Sequence, residues 1–203
     1  MEWFLITFFS YLCGSIPFGL ILTKIFSGKD IRNIGSGNIG ATNVLRTGNK
    51  FLAATTLILD LFKGYIPVII VQNFYPEYFQ ISAVMAFMGH IFPIWLNFKG
   101  GKGVATYLGI LFALSFQLGL LFIFTWVVTS LIFKYSSISS MFATLTVFVV
   151  NGIKEIIKPI LIETSATTSS TTFILFFFLI LIIFTHRKNI DNLKKKSEKK
   201  IKI

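Results

Sequence analysis

The sequence predicts an all-α polytopic membrane protein of about seven transmembrane helices, with the N-terminus outside the cell and the C-terminus in the cytoplasm. Of its 203 residues, 54% are hydrophobic and only 13% are charged, and the mean hydropathy is +0.77. Residues 104–133 contain no charge at all, and the basic residues fall in loops that would share one membrane face. No hydrophilic run precedes Thr185 that could form a soluble domain. We therefore expect one transmembrane domain over residues 1–203, with a basic cytoplasmic tail at 187–203.

The first three spans follow from runs of about 20 apolar residues, the length that crosses a bilayer. They are predicted at residues 3–26, 51–73 and 78–98. Pro17 and Gly19 are expected to kink the first span, because proline cannot donate a helical hydrogen bond.

The next run, residues 104–133, is too long for one crossing. As a straight helix its 30 residues would measure about 45 Å, against a hydrocarbon core of about 30 Å. A single crossing would also place the lysine-rich tail opposite Arg32 and Arg46. Two short crossings that turn near residues 115–117 are therefore predicted. A sixth span at 139–153, extended as a charged helix to Glu163, and a seventh at 164–185 complete the chain.

The charge distribution identifies the cytoplasmic face and the partners. The net charge is +11, and eight of the 19 basic residues lie in residues 187–202. A basic tail beside a membrane helix obeys the positive-inside rule and contacts anionic membrane lipids. Aromatic and basic residues are not interleaved, which argues against nucleic acid as a partner. Cys13 is the only cysteine, which excludes internal disulfides and thiolate metal clusters.

A glycine-rich loop, residues 31–46, follows the first span. Its G-x-G-x-x-G spacing does not indicate a nucleotide fold, because a membrane helix rather than a strand precedes it. Glycines nevertheless let the backbone wrap an anion, and arginine binds phosphate with two parallel hydrogen bonds. The alternative is a flexible connector. The candidate ligands in this loop are Gly35, Ser36, Gly37, Asn38, Thr42, Asn43 and Arg46.

A second segment with similar chemistry follows the third span. The turn of Lys99, Gly100, Gly101, Lys102 and Gly103 lacks the nucleotide P-loop pattern, but it is expected to offer free N–H groups and two cations at a helix N-terminus. The alternative is an ordinary basic turn.

The end of the last span carries His186 and Asn189, which share one helix face at a spacing of i, i+3. Histidine can act there as a base or as an anion-binding donor. The alternative is an interfacial histidine in a basic tail. Since topology puts all three segments on the cytoplasmic side, we expect them to form one phosphate-binding pocket.

Polar residues inside the spans have structural alternatives that we favour. His90, roughly 13 Å from Lys99 along a continuous helix, is expected to be a hydrogen-bonded structural residue. Asp60 and Lys63 are equally compatible with a function and with a mutually neutralising pair. Ser137 and Ser140 are expected to pack or to cap.

These motifs resemble those of the acyl-phosphate-dependent glycerol-3-phosphate acyltransferase family of bacterial membranes, over nearly the full length. The similar strings are GSIPFG from Gly14, IRNIGSGNIGATNVLRTGN from Ile31, DLFKG from Asp60 and GHIFPIWLNFKGGKGVAT from Gly89. The tail resembles the family's HRxNI…E motif through His186 and Glu198. It departs from the usual family pattern at Thr185, Asn192 and Lys196.

The resemblance implies a seven-span enzyme that transfers a fatty acyl group from acyl phosphate to the 1-position of glycerol 3-phosphate, without a cofactor or a metal. It implies that Ser36, Arg46, His186 and Asn189 are catalytic. Gly100, Gly101 and Gly103 would bind acyl phosphate, Lys102 would bind its phosphate, and Glu198 would be structural. A soluble enzyme that produces acyl phosphate is a candidate partner. The implied location is the bacterial cytoplasmic (inner) membrane, with the active site facing the cytoplasm.

The rival hypothesis is a transporter or exchanger of a phosphorylated solute. Such proteins also use glycine-broken helices and cations, but they usually place polar residues near the midplane of the bilayer. In this chain most polar residues cluster at the inner boundary, which favours the acyltransferase.

Overall fold

The computed structural model describes residues 1–162 and 171–201, and the regular structure in these two ranges is helical. The chain forms two compact units, Met1–Phe116 and Gln117–Ile203. The α-helices of the first unit are α1 (Glu2–Ser15), α2 (Phe18–Ser27), α3 (Ala41–Val44), α4 (Lys50–Phe74), α5 (Phe79–Ile91) and α6 (Val104–Leu114). Those of the second are α7 (Phe116–Phe133), α8 (Ser136–Ile162), α9 (Thr171–Thr185) and α10 (Arg187–Lys194).

The first span is broken at the proline, as predicted. Helix α1 ends at Ser15 and α2 begins at Phe18. Because Pro17 has no N–H group, the helical ladder is interrupted there, and Ile16 before it adopts an extended conformation with a ψ of 117°. The Lys63 ammonium of α4 donates to the Ile16 carbonyl at 2.7 Å. A side chain from a neighbouring helix thus stabilises the break.

The core of the first unit forms where α1 packs on α5 and where α4 packs on α1, α5 and α6. Lipid tails are as apolar as leucine, so membrane helices associate mainly through close packing of small residues. At Gly14 of α1, a Cβ atom would lie 1.9 Å from the carbonyl oxygen of Ala86 in α5. A larger residue at position 14 would push these two helices apart.

Five described segments are long and apolar enough to cross a membrane: Glu2–Ser27, Lys50–Phe74, Pro76–Leu96, Phe116–Phe133 and Ser136–Ile157. Helices α9 and α10, which meet at a bend of 55°, would together supply a sixth. Helix α6 is apolar but short, since its 11 residues measure about 16 Å. The predicted division of residues 104–133 is confirmed by the break at Ser115. The total of seven crossings and the orientation stay predictions.

The third span differs from its prediction. Helix α5 ends at Ile91 rather than continuing to Phe98, because Pro93 cannot extend the ladder. After a single 3₁₀ turn at Ile94–Leu96, the chain reverses through Asn97 and Phe98, whose φ angles are 49° and 60°. The distance of about 13 Å expected between His90 and the lysine turn is therefore wrong, since no continuous helix separates them.

The second unit is built on α8 and α9. The rings of Phe148 and Phe176 lie 5.4 Å apart, and the Asn151 amide donates to the Thr172 hydroxyl at 2.8 Å. The predicted helical extension of the sixth span is present as far as Ile162. Glu163 and the start of the predicted seventh span, up to residue 170, lie outside the described residues.

Candidate active site

The glycine-rich loop after α2 is anchored by its apolar residues. Ile31, Ile39 and Val44 are buried, and they pack against α2 and the start of α4. Of the polar residues between them, Ser36 and Thr42 are exposed, whereas Asn43 is buried. The buried cluster, here called the loop cluster, comprises Leu20, Ile31, Ile39, Val44, Leu52 and Ala53.

Asn43 organises the loop. Its side chain is 2% exposed, and its Oδ1 accepts a hydrogen bond from the Ser36 backbone N–H at 3.0 Å. Its Nδ2 donates to the carbonyls of Ile31, Ile34 and Asn38 at 3.1, 2.8 and 2.8 Å. An amide has two N–H groups and one oxygen, so these contacts occupy the whole group. The prediction that Asn43 binds substrate is therefore replaced by a positioning role.

Arg46 is held against the same amide. Its Nη1 donates to the Asn43 Oδ1 at 3.4 Å, and its stem covers Gly35, where a Cβ atom would lie 2.7 Å from the Arg46 Cδ. Gly35 also has a φ of 58°, which favours glycine. A guanidinium has five N–H donors, and the bond to Asn43 uses one of them. The exposed head of Arg46 is thus oriented and has donors left for an anion.

The other polar residues of the loop separate into two groups. The side chains of Ser36 and Thr42 are exposed, so their hydroxyls face the surface on which Arg46 lies. Asn38 uses its Oδ1 to accept from the Gly40 N–H at 2.9 Å, and Gly37 has a φ of 71°. Because Ser36 and Arg46 are bonded to one oxygen of Asn43, the structure brings these two predicted catalytic residues together.

Arg32 lies in the same loop as Arg46, but its guanidinium is already bound by a carboxylate. Its guanidinium donates to both carboxylate oxygens of Asp30, at 3.0 Å from Nε to Oδ1 and 2.6 Å from Nη2 to Oδ2. This side-chain hydrogen bonding lowers the pKa of Asp30 to about 2. Arg32 is therefore already paired with a carboxylate, whereas Arg46 is held by a neutral amide.

The lysine turn, residues 99–103, folds back over the end of α5. The N–H of Gly100 donates to the Ile91 carbonyl at 2.9 Å, and that of Gly101 to the His90 carbonyl at 3.1 Å. The expectation that these two glycines offer free N–H groups is therefore wrong, because the reversal of the chain uses them. Lys99 is exposed and Lys102 is half-buried.

The N-terminus of α6 directly follows the lysine turn. Gly103 is the N-cap of α6, with a φ of 84°. The first N–H groups of a helix have no partner within it and carry a partial positive charge. The candidate anion-binding groups at this turn are therefore the first turn of α6 and the two lysines, because the N–H groups of Gly100 and Gly101 are already used.

The chain that leads into the lysine turn packs on the glycine-rich loop. Leu96, three residues before Lys99, contacts the loop cluster. Both segments belong to the first unit.

The third predicted segment belongs to the second unit. His186 is 2% exposed and caps α10. Its Nδ1 lies 2.8 Å from the Ile182 carbonyl oxygen. Since a carbonyl only accepts, Nδ1 carries the hydrogen, and Nε2 is the basic nitrogen of the neutral ring. This tautomer suits a proton acceptor at Nε2.

Glu198 gathers the polar residues around the start of α8 and α10. Its carboxylate accepts from the amide of Asn189, from that of Asn192 at 3.4 Å and from the Ser137 hydroxyl at 3.2 Å. Ser140 accepts from the Trp126 indole N–H at 3.2 Å. The expected packing roles of Ser137 and Ser140 agree with these contacts, as does a structural role for Glu198.

The intramembrane polar residues are also paired. Lys63 and Asp60 form a salt bridge of 2.7 Å between side chains that are 2% and 4% exposed. His90 is 4% exposed, and its Nδ1 lies 3.1 Å from the Thr106 hydroxyl. Thr106 was missed by the sequence analysis. Pro93 was the available signal, because a helix stopped there lets the following chain return to His90.

Sequence comparisons agree with the resemblance. A family model described as glycerol-3-phosphate acyltransferase matches residues 4–196. A glycerol-3-phosphate acyltransferase of Pelagibacter ubique is 54% identical over 210 residues and covers 100% of both chains. One of Wolbachia pipientis wMel is 54% identical over 149 residues, which are 72% of this chain and 77% of its own.

Solved structures give the same result. The integral membrane glycerol 3-phosphate acyltransferase PlsY (YgiH), in its glycerol 3-phosphate form, has a TM-score of 0.89 and 33% identity, over 100% of this chain and 96% of its own. Its lysophosphatidic acid form has a TM-score of 0.86 and 32% identity, over 98% and 95%. These findings favour an acyltransferase over a transporter. The chain belongs to the glycerol-3-phosphate acyltransferase family of integral membrane proteins.

Proposed function

We propose that the protein transfers a fatty acyl group from acyl phosphate to the 1-hydroxyl of glycerol 3-phosphate, giving 1-acyl-glycerol 3-phosphate (lysophosphatidate) and phosphate. The observation that carries the proposal is the pair of Ser36 and Arg46, held together by the Asn43 amide at the surface of the loop. A preset guanidinium beside a hydroxyl is typical of phosphate recognition. The solved relative in its glycerol 3-phosphate and lysophosphatidic acid forms supports this acceptor and this product.

Two phosphate groups require two sets of donors. Arg46 and Ser36 bind the phosphate of glycerol 3-phosphate, and Asn189 is a further site residue only by the family resemblance. Lys102 and the first turn of α6 bind the phosphate of the donor, while the acyl chain lies among the apolar helices. With both substrates held, the acceptor hydroxyl stands next to the acyl carbonyl, and proximity and fixed charges supply most of the rate.

The chemistry is a single displacement at an activated carbonyl. Acyl phosphate is a mixed anhydride, so phosphate is a good leaving group. The 1-hydroxyl oxygen forms a bond to the acyl carbon, the bond from that carbon to the phosphate oxygen breaks, and phosphate leaves with the electron pair. The hydroxyl proton passes either to the Nε2 of His186 or to a substrate phosphate oxygen.

The membrane arrangement is part of the proposal. Seven crossings over residues 1–203 place the N-terminus outside and the basic tail in the cytoplasm, with the site facing the cytoplasm from the bacterial inner membrane. Loops rich in lysine and arginine remain on the cytoplasmic side, which supports this orientation. A soluble enzyme that makes acyl phosphate is then a natural partner, because a cytoplasmic site receives its product directly.

One assay tests the reaction. Purified protein is given glycerol 3-phosphate with either acyl phosphate or acyl-CoA, and lysophosphatidate and phosphate are measured. We expect equal amounts of the two products from acyl phosphate and none from acyl-CoA. Product from acyl-CoA alone would reject the proposed donor, and no acylated product from either donor would reject the reaction.

Variants test the roles of the residues. Arg46→Lys keeps the charge but loses the paired N–H geometry, so kcat/KM should fall by roughly 10²-fold. Ser36→Ala should also lose activity. His186→Asn should lose it if Nε2 accepts the proton, and activity near that of the wild type would assign the proton to a substrate phosphate oxygen. Arg32→Lys is the matched control, because Arg32 is exposed and paired with Asp30, and it should retain wild-type activity. Equal losses for Arg32→Lys and Arg46→Lys would contradict a specific role of Arg46.

A further inference from the structure

A buried histidine, His90, lies directly beneath the lysine turn and has no role in the proposed reaction. It belongs to the last turn of α5, and its side chain is 4% exposed. A polar side chain buried at membrane depth is costly unless its hydrogen bonds hold something in place. Two hydrogen bonds join His90 to the segment after α5, one to Gly101 of the lysine turn and one to Thr106 of α6.

The backbone of α5 supports the turn from below. The carbonyls of His90 and Ile91, at the end of the helix, accept from the N–H groups of Gly101 and Gly100 at 3.1 and 2.9 Å. Carbonyls at a helix end have no partner within the helix. The lysine turn therefore caps α5, and the position of each depends on the other.

The His90 ring supports the turn from the side. Its Nδ1 lies 3.1 Å from the hydroxyl of Thr106, the third residue of α6. Thr106 is fully buried, and its carbonyl faces α4, where a Cβ atom on Gly64 would lie 2.2 Å from it. The hydrogen bond thus ties the first turn of α6 to α5 at a point that cannot move toward α4.

The closeness of the ring explains one glycine of the turn. A Cβ atom at Gly101 would lie 2.1 Å from the Nε2 of His90. This distance is far too short for two unbonded atoms, so residue 101 must be glycine as long as His90 occupies this place. The contact with His90 therefore accounts for the glycine at position 101, and no bound ligand is needed to explain it.

The chain before the turn is strained, so the turn has to be held. Phe98 adopts a left-handed conformation with a φ of 60°, directly after Asn97 with a φ of 49°. Non-glycine residues keep such conformations only where the surrounding structure enforces them. The contacts with His90 and Ile91 lie two to three residues after this strained pair.

We propose that His90 and Thr106 are positioning residues for the acyl donor: their hydrogen bond fixes the lysine turn and the first turn of α6 in the geometry that binds the donor phosphate. The inference rests on the proposed function, in which Lys102 and these N–H groups bind that phosphate. Neither side chain needs to touch the substrate. The acceptor site depends instead on Asn43. Loss of the hydrogen bond between His90 and Thr106, here called the clamp, should therefore weaken binding of the donor but not binding of the acceptor.

The matched variants are Thr106→Val and Thr106→Ser. Valine has nearly the shape of threonine but lacks the hydroxyl, and serine keeps the hydroxyl. For Thr106→Val the KM for acyl phosphate should rise about tenfold, the effect of losing one buried hydrogen bond. The KM for glycerol 3-phosphate and the kcat at saturating donor should stay within about twofold, since those steps use other contacts. Thr106→Ser should resemble the wild type.

Amide hydrogen exchange measures how firmly the lysine turn is held when no substrate is bound. In Thr106→Val, the amides of residues 99–103 should exchange about tenfold faster than in the wild type, because a lost hydrogen bond eases local opening. Exchange in residues 31–46 should not change. If the wild type uses acyl-CoA instead of acyl phosphate, the proposed function fails, while the exchange result and the KM for acyl-CoA still decide the role of the clamp.

A second variant tests the proposal in case Thr106→Val does not fold. In His90→Leu the side chain keeps much of its volume but cannot hydrogen-bond to Thr106, so the KM for the donor should again rise more than that for the acceptor. An equal rise of both KM values, or unchanged donor KM and exchange in folded variants, would overturn the proposal. If both variants fail to fold, His90 and Thr106 are purely structural and the proposal is likewise overturned.

Discussion

At the residue scale, two asparagines of the glycine-rich loop show how one side chain can serve different purposes. Asn43 is buried and uses both ends of its amide, with Nδ2 donating to three carbonyls. Asn38 is half-buried, and its side chain accepts one hydrogen bond, from the Gly40 N–H. Only Asn43 thus requires the N–H groups that distinguish an amide from a carboxylate.

This difference predicts opposite outcomes for the same substitution. Asn43→Asp would turn a carboxylate toward the carbonyls of Ile31, Ile34 and Asn38, so the free energy of unfolding should fall by about 3 kcal/mol. Asn38→Asp keeps the oxygen that accepts from Gly40, so the free energy of unfolding should change by less than about 0.5 kcal/mol. Unfolding of the two purified variants in the same detergent measures both. Equal destabilisation would show that Asn43 does not organise the loop.

At the element scale, both segments of the first unit that are proposed to bind phosphate follow a helix that proline interrupts. Pro17 separates α1 from α2, which leads into the glycine-rich loop, and Pro93 lies between the end of α5 and the 3₁₀ turn at Ile94–Leu96. Each break leaves carbonyl groups that polar partners satisfy. Lys63 donates to a carbonyl at the first break, and the N–H groups of Gly100 and Gly101 donate to carbonyls at the second. Breaks inside a bilayer are tolerated only when protein groups satisfy the backbone.

The break at Pro17 leads to a prediction about the ion pair of α4. Lys63→Met should destabilise the protein by about 3–5 kcal/mol, because Asp60 would be left as a buried unpaired charge. Asp60→Asn should cost less, since Lys63 keeps its bond to the Ile16 carbonyl. Combining Asp60→Asn with Lys63→Met should restore part of the loss, because no buried charge remains.

Unfolding measurements on the two single variants and the double variant complete this cycle. Additive losses would mean that Asp60 and Lys63 do not stabilise each other in the membrane, despite their distance of 2.7 Å.

At the scale of the whole molecule, the orientation in the membrane determines which substrates can reach the site. In the proposed orientation, Lys29, Arg46, Lys99 and the basic tail lie on one side of the bilayer. A basic surface on the cytoplasmic face also attracts anionic substrates and anionic lipids. Both proposed substrates carry phosphate, so this surface would concentrate them near the membrane.

Cysteine labelling tests the orientation. Cys13 is the only native cysteine, so Cys13→Ser gives a background free of thiols. In that background, Ser36→Cys and Lys188→Cys should both react with an impermeant maleimide in inverted membrane vesicles, and neither should react in intact spheroplasts. Met1→Cys, behind a new start codon, should show the reverse pattern. Labelling of positions 36 and 188 from opposite sides would contradict a shared cytoplasmic face.

Local chemistry made much of the fold predictable from the sequence. The break at Pro17 and the division at Ser115 follow from backbone chemistry and from bilayer thickness, and the pairing of Asp60 with Lys63 follows from helical spacing. The reversal through Phe98 was not predictable, because a left-handed phenylalanine has no sequence signature. The role of Asn43 was also hidden, since its carbonyl partners become neighbours only in the folded loop.

The contacts of Glu198 have a consequence for the order in which the protein assembles during synthesis. Ser137 leaves the ribosome first, and its carboxylate partner follows 61 residues later. Asn189 must wait for nine more residues before the same carboxylate is available. Ser137 of α8 and Asn189 of α10 therefore gain these bonds only after the whole of α9 has been synthesised. A translation arrest between residues 190 and 197 should leave the chain at these two residues sensitive to protease, and full-length chains should be protected.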